Sequence, residues 1–318
     1  MLSGHGDDIY RYPDIRVNFS SNICQHANHS LLKAHLMARF EVIANYPEPE
    51  AWTLEQALAR KHGIAADSVL VTNGATEAIY LIAQAYRHLP FRIIHPTFSE
   101  YEDACRMYGL RQGRGGLIWL CCPNNPDGSL HQLKMTDDNE LLVIDQAYEC
   151  YTPAKMMTAA EAVENGRVIQ LHSMTKTYAV PGLRLGYITA SPAVIQRLRT
   201  CLRPWSVNAL AIEAALFLLQ HDELIVTPDF VESQRLNRLL NKIDGVAALP
   251  TETNYMLCRI EQCSAAQLKD YLAREHGMLI RDASNFRGLN EHFFRIASQL
   301  PEENDALLEA IRQFSINN

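Results

Sequence analysis

The stretch His172-Ser-Met-Thr-Lys176-Thr-Tyr-Ala-Val-Pro-Gly-Leu-Arg184-Leu-Gly186-Tyr187 follows a short apolar run from Val168 to Leu171. A run of that length with continuous rather than alternating apolarity suits a strand buried on both faces. The lysine therefore stands just beyond the end of a buried strand. Ser173 and Thr175 place hydroxyls beside it, and Arg184 adds a guanidinium further on. Such a set offers an amine able to condense with a carbonyl, next to ligands for a phosphate. An ordinary surface lysine on a loop is the plainer alternative for these residues taken alone.

Moving outward, similar apolar runs occur at Val69 to Thr72, Arg92 to Ile94, Leu117 to Cys121, Leu141 to Ile144 and Leu185 to Thr189. Helix-period stretches at Thr76 to His88 and Phe98 to Tyr108 fall between some of them. Alternation of this kind predicts a parallel sheet with crossover helices, an α/β core whose sites lie at strand C-termini. Upstream, Thr53-Leu-Glu-Gln56 has the capping-box pattern and predicts a helix from Thr53 to His62, closed by Gly63. Beyond Pro192 longer helical segments appear, at Ala209 to Gln220 and Phe230 to Lys242. The tail reads strand (Asn254 to Arg259), helix (Ala265 to Glu275), two strands (Met278 to Ile280 and Phe293 to Ile296) and a helix after Pro301, a compact α+β unit. The N-terminal arm, rich in Gly, Asp, Tyr and Asn, has no core of its own and must pack on something else, a partner subunit being one choice.

Composition narrows the function classes. The chain has 318 residues, 47% hydrophobic and 20% charged, enough for two domains with a core. Its 8 cysteines form no C-x-x-C pair and no zinc spacing, which argues against a disulfide scaffold or a metal site. The first residues lack a basic segment followed by an apolar core, and no run of about 18 apolar residues occurs. A reduced, cytoplasmic protein is expected. A net charge of −7 without a Lys/Arg run gives no footprint for nucleic acid or membrane, and leaves room for a local cationic pocket. No G-x-G-x-x-G follows an early strand, which sets aside a nicotinamide dehydrogenase.

Four further segments bear on the lysine. Asn73-Gly74-Ala75-Thr76-Glu77 lies between a strand and a helix, where free amides and the helix dipole can hold a phosphate, although a tight turn with a Thr cap reads equally well. Pro96-Thr97-Phe98 sets an aromatic after a strand, which also suits a core phenylalanine. Cys122-Pro-Asn-Asn125-Pro-Asp-Gly128 is a plain turn sequence as well as a candidate site loop. Val143-Ile-Asp145-Gln-Ala-Tyr148 ends a strand on a carboxylate that could equally cap the next segment. Taken in chain order, these segments and the lysine stretch resemble the fold type I pyridoxal-phosphate enzymes, specifically the class I/II aminotransferases.

That resemblance implies a large domain on a mainly parallel, seven-stranded-type sheet with helices on both faces (residues 28–212), and a smaller α+β domain from residues 1–27 and 213–318. It implies pyridoxal 5'-phosphate linked to Lys176, with Gly74, Ala75, Thr76, Ser173, Thr175 and Arg184 around its phosphate. Phe98 would stack on the ring, Asp145 would face the ring nitrogen, and Asn125 with Tyr148 would meet the ring oxygen. Asn45-Tyr46-Pro47 resembles an element whose tyrosine reaches the cofactor of the neighbouring subunit, so a homodimer is implied.

On the substrate side, Arg295 would take an α-carboxylate and Arg281 would lie near the distal end, since an arginine fork donates two parallel hydrogen bonds to an anion. Without the resemblance both read as surface arginines flanking strands. The arm Gly4-His5-Gly6-Asp7 with Val17-Asn-Phe19-Ser-Ser-Asn22, the run from Arg203 to Ala211, and Ile280-Arg-Asp-Ala-Ser-Asn-Phe-Arg-Gly-Leu289 resemble the threonine-phosphate decarboxylase branch, with histidinol-phosphate aminotransferases as near relatives. His5 and Asn22 are thereby implied near the substrate, though a histidine in an arm is also commonly solvated. The expected activity is that of a decarboxylase on a phosphorylated amino acid, with an aminotransferase as the alternative. A regulator that senses the cofactor is a third reading, against which the chain offers no basic DNA-binding module. Departures from the pattern are Gln146 for Glu, Asp127 for Thr and Met174 for Leu. Gly109 to Gly116 passes almost directly into the next strand, so a strand or turn of the large domain is expected to be trimmed.

Overall fold

The computed structural model describes residues 7–131, 135, 137 and 139–317. Its strands, in chain order, are β1 Val17–Asn18, β2 Val69–Thr72, β3 Phe91–Ile93, β4 Gly116–Cys121, β5 Glu140–Asp145, β6 Val168–His172, β7 Gly186–Thr189, β8 Val246–Ala248, β9 Tyr255–Ile260, β10 Met278–Leu279, β11 Arg281–Asp282 and β12 Phe293–Ala297. The helices are α1 Ser30–Ala38, α2 Trp52–His62, α3 Gly74–Ala85, α4 Glu100–Met107, α5 Ala159–Asn165, α6 Met174–Thr177, α7 Pro192–Arg199, α8 Ala209–Leu218, α9 Phe230–Leu240, α10 Ala265–His276 and α11 Pro301–Asn317.

The central sheet has the order β2-β7-β6-β5-β4-β3. β3 to β6 pair in parallel, and β7 runs antiparallel to both β2 and β6. Strand β4 shows why continuous apolarity was the right signal. Leu117, Trp119 and Cys121 enter the core under α3, α4 and α7, while Ile118 and Leu120 enter a second cluster with Ala162 of α5. Both faces are thus covered by helices, as a parallel sheet requires.

The sheet has six described strands where seven were expected. After α4 the chain makes a single parallel bridge, Gln112 to Phe91, and turns at once into β4. Close packing enforces the turn: a Cβ on Gly116, at φ +77°, would lie 2.3 Å from the Pro90 carbonyl oxygen. The trimmed edge therefore falls where the sequence is short.

A second sheet, β11-β12-β9-β8, packs against α9, α10 and α11 around Leu268, Ile296 and Leu307. The arm joins this unit on its own chain. β1 pairs with β10 in parallel, Phe19 is fully buried in the same core, and Asp8 makes an ion pair with Lys269 at 2.6 Å. One local expectation fails. Thr53 does not cap α2, which starts at Trp52, because the Glu48 carboxylate accepts the Thr53 N–H at 2.8 Å and takes over that end. Gly63 does close the helix in the left-handed conformation. No helix among the described residues is long and apolar enough to cross a membrane.

Candidate active site

A cavity of about 320 Å³ opens at the C-terminal ends of the parallel strands, where the central sheet meets the arm and the second sheet. Lys176, Ser173, Thr175 and Arg184 line it from the stretch after β6, Ala75 and Thr76 from the start of α3, and Phe98 from the loop after β3. Asn125, Asp145 and Tyr148 come from the loops and strand ends of β4 and β5, Asn22 from the arm, and Arg281 and Arg295 from β11 and β12. Gly74 sits just behind this wall. Tyr46 is elsewhere: it is 86% exposed and lies 5.5 Å from Trp205, ring to ring. His5 lies outside the described residues.

The anion end is built by close approach. α3 begins directly after β2, so its first amides have no intrahelical acceptors, and its first-turn residues Ala75 and Thr76 line the cavity. A Cβ on Gly74, whose φ is +79°, would come within 2.7 Å of Nη2 of Arg184. A Cβ on Gly186 would lie 2.6 Å from the Ala75 nitrogen. The two glycines thus let β7 and the arginine press onto the helix N-terminus, which concentrates positive potential there.

Asp145 is buried at the end of β5. Burial pushes its carboxyl above the usual range, and the Tyr101 hydroxyl, the Ala147 amide and the nearby charges of His172 and Lys176 pull it back. The hydroxyl donates to Oδ2 at 2.7 Å and the amide to Oδ1 at 2.9 Å. Lys176 Nζ lies 5.5 Å from the centre of the Tyr148 ring. The main chain under the lysine is held by Tyr151, whose hydroxyl donates to the Lys176 carbonyl at 3.0 Å.

Arg281 and Arg295 are register partners across β11 and β12, and both are buried. Arg295 donates to Asn125 Oδ1 and, at 2.5 Å, to the Ser20 carbonyl, while its Nε has no hydrogen-bond partner among the described residues. Burial lowers the pKa of both, with Arg281 brought down to about 10 by burial first and by Arg295 second. Both remain cationic at neutral pH. Two adjacent buried guanidiniums favour an anion that can share their donors.

Sequence reasoning assigned no role to Asp7, Ser20, Tyr101 or Asn285, all of which line the cavity. Tyr101 carried no local signal, because its helix reads Glu-Tyr-Glu-Asp-Ala-Cys and looks solvent-facing. Asn285 accepts from Arg281 at 2.7 Å and stood inside a quoted motif.

This fold and this lysine-centred cavity define an enzyme of the aminotransferase class I and II family, to which the chain belongs: the family model matches residues 14–115 and 111–311. Members of that family depend on pyridoxal phosphate. The threonine-phosphate decarboxylase of Salmonella typhimurium is 31% identical over 98% of this chain and 96% of its own. The histidinol-phosphate aminotransferase of Thermoanaerobacter sp. is 28% identical, with 84% of each chain covered. Among solved structures, the L-threonine-O-3-phosphate decarboxylase from Porphyromonas gingivalis matches with a TM-score of 0.91 and 38% identity over 94% of this chain and 99% of that one.

The residues present fit pyridoxal phosphate. The glycine cradle under Arg184 suits a phosphate, the buried Asp145 carboxylate suits a protonated ring nitrogen, and the primary amine of Lys176 stands in the same cavity.

Proposed function

We propose that the chain binds pyridoxal 5'-phosphate at Lys176 and decarboxylates an amino acid that carries a phosphate, with threonine O-3-phosphate as the candidate substrate. The observation that carries this reading is the buried pair Arg281 and Arg295, a second anion site in the same cavity as the Arg184 cradle. One anion site serves the cofactor phosphate, and the other then receives the acidic groups of the substrate. The 31% identity to a threonine-phosphate decarboxylase across nearly the full length supports the same substrate class.

When bound, the cofactor supplies an electron sink for a bond broken at the substrate's Cα. The protein's residues provide the rest. Asp145 would keep the ring nitrogen protonated, Asn125 and Tyr148 would hold the ring oxygen, and Phe98 would support the ring. Arg295 holds the α-carboxylate and Arg281 the distal phosphate, with Asn22 beside them. Which bond breaks is decided by the angle at which Arg295 and its Asn125 partner present the carboxylate. Proton delivery to Cα falls to Lys176.

The division into residues 28–212 and residues 1–27 with 213–318 separates the cofactor elements from the arginines. A homodimer is also part of this reading. Met37, Phe40, Ile43 and Tyr46 are exposed, and Pro181 lines both the cavity and an apolar groove along α1. Tyr46→Phe is expected to weaken cofactor binding, and an active, purely monomeric wild type in sedimentation refutes the dimer.

Incubating the cofactor-loaded protein with threonine O-3-phosphate and measuring CO2, in parallel with 2-oxoglutarate-dependent transamination of histidinol phosphate, tests the reaction. CO2 release without transamination is expected. Transamination without CO2 release overturns the decarboxylase reading and leaves the cofactor assignment standing.

A further inference from the structure

Tyr101 is fully buried, and its hydroxyl reaches Asp145 from α4, forty-four positions away in the chain. Its ring is clamped on two sides. Trp119 stacks on it at 5.3 Å with planes 17° apart, and Phe98 meets it edge-on at 5.8 Å and 85°. Aromatic packing of this kind fixes both χ angles and so places the hydroxyl oxygen beside Asp145 and Cys121. Around the carboxylate stand Cys121 from β4, His172 from β6 and Lys176 from α6. His172 is itself held by Glu149 at 3.0 Å and Thr189 at 2.9 Å.

We propose that Tyr101 is a positioning residue that keeps the Asp145 carboxylate ionised and aimed into the cavity. The proposal rests on the reading of Asp145 as the partner of the cofactor's ring nitrogen. A buried carboxylate needs donors to stay charged. A lysine or arginine in this place would supply them and would also neutralise the charge that must hold a proton on the ring. A phenol supplies the hydrogen bond without that competing cation. Burial and the neighbouring Asp145 hold the Tyr101 phenol far above its ordinary range, so it donates at every working pH. The Ala147 amide fixes the other oxygen, so two neutral donors set the orientation of the carboxylate.

The test is Tyr101→Phe, which removes the hydroxyl and keeps the ring. In the cofactor-free chain labelled with 13Cγ-aspartate, the Asp145 signal, assigned by its loss in Asp145→Asn, is expected to titrate about one pH unit higher than in wild type, a tenfold change in proton affinity. In the loaded chain, 15N-labelled cofactor is expected to show its ring nitrogen deprotonating at lower pH than in wild type. Unchanged Asp145 titration in a folded Tyr101→Phe chain overturns the proposal and leaves Tyr101 a packing residue. Should that variant fail to fold, 3,5-difluorotyrosine incorporated at position 101 donates more strongly, and the Asp145 signal is then expected to move to lower pH. No movement, or movement upward, refutes the role. Failure of the cofactor reading shows separately, as a wild-type chain without a visible absorbance band, whereas the cofactor-free titration is unaffected by it.

Discussion

Replacing Gly74 by alanine separates the cradle from the fold. Gly74 has φ +79° at the first position of α3, and a Cβ there would lie 2.7 Å from Nη2 and 3.2 Å from Cζ of Arg184. Two costs follow. A left-handed backbone disfavours any residue with a Cβ by roughly 1–2 kcal/mol, at about 1.5 °C in melting temperature per kcal/mol for a chain of 318 residues. The clash falls on the end of a flexible side chain, so the guanidinium swings aside and the fold survives. It then no longer covers the helix N-terminus, and a hydrogen bond to a charged group is worth about 1.5–3 kcal/mol. The expected loss in cofactor affinity is about 10- to 100-fold, read by fluorescence titration with pyridoxal phosphate. Gly63→Ala is the control. Gly63 has φ +65° and nothing within 4 Å of its Cβ, so it bears the backbone penalty alone. Both variants should melt lower without cofactor, and Gly74→Ala alone should bind weakly. Wild-type affinity in Gly74→Ala, or an equal loss in Gly63→Ala, refutes the argument.

Other expectations are simpler to state. Lys176→Ala should abolish the visible band of the loaded protein, and a band that survives the substitution removes Lys176 from its role. Arg199→Met should destabilise by about 2–3 kcal/mol, since it strips the 2.6 Å partner from the buried Glu55 and leaves it the Val71 amide. Burial already raises the Glu55 pKa above 4.5, so the folded state takes up a proton as pH falls, and the deficit should shrink between pH 7 and 5 in urea melts. A deficit that grows on acidification contradicts that sign. His62, brought down from 6.5 to about 4 mainly by burial, works in the opposite sense. The unfolded chain protonates first, so roughly 2–3 kcal/mol of stability should drain away as pH falls from 6.5 to 4. His62→Gln should flatten that part of the profile, and parallel curves for the two chains argue against it.

The strands of the central sheet were readable because burial on both faces leaves a continuous apolar run. Their ends shifted by a residue or so: Leu141 to Ile144 became Glu140–Asp145. Helix α1 escaped because Leu31 and Met37 are exposed beside the buried Leu32, which blurs the period that marks a one-sided helix. The start of α2 was misjudged for a related reason. The capping pattern at Thr53 is local, whereas the Glu48 carboxylate that captures the Thr53 amide arrives from the preceding loop. Capping boxes form instead at Thr158 with Glu161 and at Ser264 with Gln267.

The grouping of Ala75, Thr76, Asp145, Ser173 and Lys176 around one cavity was legible because they sit at strand ends or helix starts, positions that turn residues and apolar runs mark in the sequence. Tyr101 and Asp7 were not, since they reach the site from a helix face and an arm whose local pattern says nothing of distance. Net charge misleads in the same way. A chain at −7 carries Lys176, Arg184, Arg281 and Arg295 around one cavity, because an average over 318 residues does not register four cations gathered by tertiary contacts. Their grouping is the more specific fact. Arg184 belongs to the β6–β7 connection and the other two arginines to the second sheet, so an anion held at each end would couple the two sheets through one cavity. Under the proposed reading the cofactor phosphate takes the Arg184 end, so a substrate without acidic groups would gain nothing from the buried Arg281–Arg295 pair.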